Sequence, residues 1–220
     1  MFGGTTAAVL ISYPFHLVVR TVVTVWEAFV SQVEAVEPVL ARILEFAQIS
    51  RRKGLIALEA EIDRTHDPFL RAALTLAVDG TNPKTARQIL EIESHSRRQA
   101  AEGPAEVLET AAGYSPTLGI LGAVLGLVHV MQSLSEPAKL GAGIAMAFVA
   151  TIYGVASANL VLLPLATKLR GRARQAAQSR DVIVEGIVAL QEGLNPRLIE
   201  QKLQGYLAPV ERPAAKRKVA

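Results

Sequence analysis

Few side chains in this sequence could handle an ion, and they stand where charge is absent. Residues 117–135 form a run of 19 without a charge, and residues 140–167 a second run of 28. The second run holds Thr151, Ser157 and Asn159, which can hydrogen-bond across helices or meet water, but neither run holds Asp, Glu, Lys or Arg. Proteins that move ions through a bilayer normally place an ionisable group there. If this chain conducts ions, a second chain must supply the titrating carboxylate. Thr151 alone carries no assignment, because a threonine in a span often bonds back to its own helix. His16, His66, His95 and His129 are scattered without ligand spacing, and Glu91 and Glu93 sit among surface charges. No GxxxxGK[ST], GxGxxG or HExxH pattern occurs. With no cysteine there is no disulfide framework, thiolate metal site or Cys nucleophile. The expectation is a protein that is not an enzyme, with no metal and no cofactor beyond a coupling ion.

The elements that must position these residues follow from the same runs. Half of the 220 residues are hydrophobic and 20% are charged, below the usual quarter of a soluble domain. A span needs about 20 apolar residues, so the two runs predict a helical hairpin crossing a bilayer twice. Its tip is SEPAK, residues 135–139. Lys168, Arg170, Arg172 and Arg174 follow the second run closely. Positive charge beside a span marks the cytoplasmic side, so the tip faces outward and the middle region and the C-terminus are cytoplasmic. A net charge of +3 gives no reason to invoke nucleic acid. Glycine is costly in a helix in water, yet Gly122 and Gly126 stand four apart in the first run, with Gly119 near the same face. Ala150, Gly154 and Ala158 repeat the small-residue spacing in the second. Helices in lipid associate through close packing, and these faces suit contact with each other or with another chain.

Residues 20–113 mix 11 Lys/Arg with 14 Asp/Glu, the composition of a helical region in water. Val22, Val25, Trp26, Phe29, Val33, Val36, Leu40, Ile43 and Ala47 recur at helical spacing as one apolar stripe. Gly54 is placed to break or bend the helix. Asp67-Pro68 and Asn82-Pro83 read as helix starts and Gly80 as a stop. A helix is expected to run on from the second span to about Glu192, with a last one from Asn195-Pro196. The fold class expected is an all-α integral membrane protein: a transmembrane hairpin, a helical cytoplasmic region and a partial N-terminal span. The divisions are 1–14, remnant of a transmembrane helix; 15–113, cytoplasmic helices; 114–169, two spans with a short outward turn; 170–208, C-terminal cytoplasmic helices; and 209–220, a disordered tail.

Residues 114–170, from YSPTLGILG through SEPAK to PLATKLR, resemble the last two spans of the flagellar motor stator A subunit, the MotA/PomA group. SRRKGLIALE is similar to that family's cytoplasmic segment, and FGGTTAAVLISYP to the end of its second span. The resemblance implies a homo-oligomeric ring of A subunits around B subunits. Each B subunit has a single span with the ion-carrying Asp and a peptidoglycan-binding domain. It also implies an inner-membrane location and contact with the rotor's switch protein.

Residue by residue, the resemblance makes Pro116 and Pro164 the prolines that couple ion passage to movement. Thr151 becomes the pore-facing threonine, and Arg51 and Glu59 the charged pair that meets the rotor. Glu93 falls where another functional acid occurs. Ala123 stands where sodium-driven members have Thr, which implies protons as the coupling ion. Alternatives are a TolQ/ExbB-like subunit energising envelope processes, or a membrane scaffold that transports nothing. Family members have four spans, and residues 1–13 reach only about 20 Å as a helix. The resemblance therefore leads to the expectation of an in-frame apolar segment upstream of Met1.

Overall fold

The computed structural model describes residues 2–31, 36–131 and 137–206. Among them it is helical throughout, with no strand. The helices are α1 Phe2–Ser12, α2 Phe15–Val30, α3 Val36–Lys53, α4 Glu59–Ile62, α5 Pro68–Val78, α6 Pro83–Met131, α7 Pro137–Ala156, α8 Leu163–Gln191 and α9 Pro196–Leu203. A 3₁₀ turn, Leu55–Leu58, precedes α4, and a π-helical turn, Ser157–Leu162, joins α7 to α8. The tail at 209–220 and residues 135 and 136 of the SEPAK tip lie outside the described residues.

The caps show why the helices begin and end where they do. Asp67 Oδ1 accepts the Phe69 N–H at 2.8 Å and Asn195 Oδ1 accepts that of Arg197 at 3.1 Å, each with proline as the first helical residue. Asn82 Oδ1 does the same for the Lys84 N–H at 3.0 Å where α6 opens. Gly54 ends α3 at φ +84°, and Gly80 follows α5 at φ +71°. An L side chain rarely tolerates this left-handed region.

The chain divides into two compact units, residues 1–32 with 99–173 and residues 33–98 with 174–220. The long helices α6 and α8 contribute to both. These units cut the sequence elsewhere than the expected boundaries at 14, 113 and 169. The apolar stripe beginning at Val22 is the reason for the first difference. Helix α2 stops at Val30 and Ser31 is extended at φ −98°, ψ 146°. Val36, Ile43 and Ala47 are buried in one unit, whereas Val22, Trp26 and Phe29 are exposed in the other. Helical periodicity does not distinguish a face made for a core from one made for other surroundings.

The second unit has an ordinary water-excluded core. Ile43 and Phe46 of α3, Leu70 and Leu74 of α5, Ile183 and Ile187 of α8, and Ile199 and Leu203 of α9 are all buried in it. The i, i+3, i+4 spacing on each helix aligns these side chains, and each contributes roughly 1.5–3 kcal/mol by leaving water. Helix α8 approaches α3 closely at Gly186. A methyl group at Gly186 would lie 2.6 Å from Ile43 Cγ2 and 2.8 Å from its Cδ1. Gly186→Ala is expected to overpack this contact and destabilise the unit by about 1–3 kcal/mol. A lowered thermal midpoint of the purified chain checks it, with Gly171→Ala, a helical glycine where nothing lies within 4 Å, as the control for the gain in helix propensity of up to about 1 kcal/mol.

Charge on the same unit is organised around Glu185. It takes a bidentate pair of hydrogen bonds from Arg87 and an ion pair from Lys202 at 2.7 Å. The Arg87 hydrogen bond is the main cause that brings the Glu185 carboxyl down from 4.5 to about 2, against the opposing effect of burial. A carboxyl with a depressed folded pKa stabilises above its unfolded value and loses that contribution as pH falls through the folded one. The stability gap between the native chain and Glu185→Gln should thus hold constant above about pH 5 and shrink toward about pH 2. Thermal melts across that range measure it.

Candidate functional site

In the first unit the glycine spacing finds its use. A Cβ placed on Gly122 would lie 3.7 Å from Ala150 Cβ, and one on Gly126 3.6 Å from Ala147 Cβ. The two small-residue faces therefore meet each other within the chain. Gly143 is closed off still more tightly by the Val130 side chain. Two helices, 83–131 and 140–191, are long and apolar enough to cross a membrane. Helices α1 and α2 pass that test only as a pair, and they meet at a bend of 119°.

The polar groups along these helices are held locally. Thr151 Oγ1 donates to Ala147 O at 3.4 Å and Asn159 Nδ2 to Val155 O at 2.9 Å, each within its own helix. Ala123 and Thr151 are half-buried. Ser115 is fully buried, at 0% exposure. Its Oγ lies 2.7 Å from Ser157 Oγ on the other helix, and Ser157 in turn donates to Gly154 O at 3.1 Å. An apolar hollow of about 500 Å³ lies beside the serine pair, lined also by Ala111, Tyr153 and Leu160.

One proline adjoins this hydroxyl pair in the chain, and the other lies seven residues beyond it. Pro116 follows Ser115 directly inside α6, so the helix runs through it and does not start there. A proline there removes one backbone donor and loosens the turn before it. Pro164 follows the π-helical turn that begins at Ser157, in which the Leu163 N–H reaches Ala158 O, five residues back. The wider turn gives room for the proline ring and leaves a local irregularity, a form often found at functional positions. Ser115 and Ser157 thus tie the irregular part of one helix to that of the other. The sequence marked Ser157 as able to bond across helices. Ser115 went unnoticed, its one signal being a hydroxyl immediately before proline at the head of an apolar run.

The basic cluster after the second span has structural partners of its own. Lys168 Nζ sits 3.8 Å from the centroid of the Phe29 ring, and Arg170 pairs with Glu109 at 2.7 Å. Arg172 donates to Ser31 O at 2.6 Å and to Ser31 Oγ at 2.9 Å. Counting positive charge for orientation gave no hint of these contacts.

Arg51, Glu59 and Glu93 belong to the second unit. Arg51 lies in the last turn of α3 and Glu59 opens α4, so they stand on separate helices. Both are exposed. Glu93 differs, because Arg97 one turn along α6 pairs with it at 2.7 Å. No group of three or more His, Cys, Asp or Glu suited to a metal occurs among the described residues.

The class is set by two long helices packed through small residues, with stretches at 117–131 and 140–167 that hold no carboxylate. The profile of the MotA/TolQ/ExbB proton channel family matches residues 61–182. Motility protein A of Bacillus subtilis is 35% identical over 214 residues, covering 96% of this chain and 79% of that protein. The C. jejuni MotAB structure superposes with a TM-score of 0.89 at 28% identity, over 97% of this chain and 84% of that one. The flagellar MotAB stator complex of Bacillus subtilis gives a TM-score of 0.84 at 36% identity, over 94% and 81%. The chain belongs to the MotA/TolQ/ExbB proton channel family, whose members are membrane proteins that act as channels and not as enzymes.

The serine pair yields its own expectation. Ser115→Ala should destabilise the pairing of the spans by about 0.5–1 kcal/mol, the usual size for a hydrogen bond between membrane helices. A double-mutant cycle with Ser157→Ala, read by unfolding in detergent, should show coupling of that order. Additive effects would mean that the two hydroxyls act separately.

Proposed function

We propose that this chain is an A-type subunit of a bacterial flagellar stator. With a B subunit it forms a proton channel in the inner membrane and converts proton flow into torque. The observation that carries this is the 35% identity to Motility protein A across 96% of the chain, together with the 0.89 superposition on a MotAB structure. That relative is named for motility, which favours the flagellar reading over a TolQ/ExbB-like one or an inert scaffold.

In this reading the A subunits form a ring around a B subunit's single span, and the Asp of that span carries the proton. The lack of any Asp, Glu, Lys or Arg at 140–167 fits a channel whose titrating group belongs to a partner. Thr151 and Ala123 border the ion path. Their small, uncharged side chains leave room for the partner's carboxyl, and Thr151 can add a hydroxyl oxygen to it. Neutralising that carboxylate removes a charge from among closely packed helices and changes which packing is favoured. The turns at Pro116 and Pro164 are the places where the helices can yield. The positive charge at 168–174 supports a cytoplasmic location for that end of the span. Arg51 and Glu59 then meet the rotor's switch protein, with Glu93 supporting the surface through its pair with Arg97.

Two experiments test this. Expressed with a B subunit in a stator-deficient strain, the protein should support swimming without sodium and lose it on adding a protonophore. Strict sodium dependence would overturn the assignment from Ala123 and Thr151. Arg51→Glu should leave insertion and thermal stability unchanged, since exposed charges contribute only about 0–1 kcal/mol. It should reduce torque, with partial recovery from an opposite charge on the switch protein.

A further inference from the structure

The segment 51–63 reads RRKGLIALEAEID: three cations, then five residues without charge, then three acids within five positions. The 3₁₀ turn in its middle has two sides. Leu58 is fully buried at 0%, and Leu55 and Ala57 are half-buried, but Ile56 is 74% exposed. The turn is firmly built. The Gly54 N–H closes on Ser50 O at 2.8 Å, the Ala57 N–H on Gly54 O at 3.2 Å, and the Glu59 N–H on Ile56 O. Ile56 could turn inward only by breaking these bonds and withdrawing Leu58 from the core.

Charged residues flank the isoleucine on both sides. Arg51, Arg52, Lys53 and Glu59 are exposed. None has an ion pair or side-chain hydrogen bond among the described residues. Some charges of this unit are engaged, among them Glu61 with Arg64 at 3.0 Å, Glu93 with Arg97, and Glu185 with Arg87 and Lys202. Cations and an anion eight residues apart thus stand unpaired on either side of an exposed apolar group.

We propose that Ile56 is the apolar anchor of a protein-docking surface whose rims carry opposite charge, Arg51 to Lys53 on one side and Glu59 on the other. The proposal rests on the rotor-contact reading above and adds to it the residue that supplies affinity. The partner face it fits has carboxylates opposite the end of α3, a basic side chain opposite Glu59, and between them an apolar hollow for one branched side chain. Exposed charge pairs contribute little to affinity; they orient the encounter and speed it. A preorganised apolar side chain that loses its water at the centre of the contact is the kind of group that holds a complex together.

The test uses the chain assembled with its B subunit in lipid nanodiscs, titrated with purified rotor switch protein. Ile56→Ala should weaken binding at least about tenfold, and Ile56→Leu should stay within about threefold. Neither should move the thermal midpoint, because the side chain is exposed. If Arg51→Glu weakens binding while Ile56→Ala does not, the anchor is overturned and the rotor contact stands. If neither changes binding, both readings fall. The chain has no cysteine, so Ile56→Cys adds a single thiol. Disulfide-linked pairs of this chain in the assembled complex would mean that the surface meets a second copy, and that outcome too overturns the proposal.

Discussion

In a bilayer the tails around a helix are as apolar as its own side chains, so two spans hold together only as well as their surfaces fit. Here that fit comes from Gly122 and Gly126 lying against Ala150 and Ala147. The other features of the first unit depend on this approach. It brings Ser115 within 2.7 Å of Ser157, and so sets a proline-bearing turn of one helix against the π-helical turn of the other. A bulkier pair of faces would separate the hydroxyls and leave Ser115 buried without its partner.

The two units show two ways of making helices adhere. In residues 36–98 and 174–206 large side chains leave water together, and one glycine, Gly186, admits Ile43. In the first unit the contacts are mostly made by glycine and alanine, and the large apolar residues, such as Phe148, Ile152 and Leu160, are exposed. That inversion is what separates a protein built for lipid from one built for water, and this chain contains both.

Much of this was legible in the sequence because each signal had a local cause. Uncharged runs gave the spans, Asp67-Pro68 and Asn195-Pro196 gave helix starts, and Gly54 gave a break. What was not legible depended on distant partners or on the medium. The stripe from Val22 to Ala47 kept one period across two units, and period alone could not say that Trp26 is exposed and Ile43 buried. Arg172 looked like a topology marker because nothing near it in sequence announces Ser31. Gly54 was legible as a break between Arg51 and Glu59, but the 3₁₀ turn that follows it was not. Ser115 needed Ser157 beside it to acquire meaning.

The π-helical turn at 157–162 also changes how the second span must be drawn. An α-helix advances about 100° per residue, and a wide turn is what a single extra residue leaves behind when the helix around it continues. Residues before Ser157 and after Leu162 are therefore out of phase by roughly that angle relative to an unbroken helix. A helical wheel drawn straight through from Thr151 to Lys168 would put the two on the wrong relative faces. A one-residue deletion within 157–162 would restore regular geometry at the cost of turning Lys168, Arg170 and Arg172 away from Phe29, Glu109 and Ser31. The irregular turn is thus what lets one helix present a smooth face at Ala147 and Ala150 and a gripping one at its basic end.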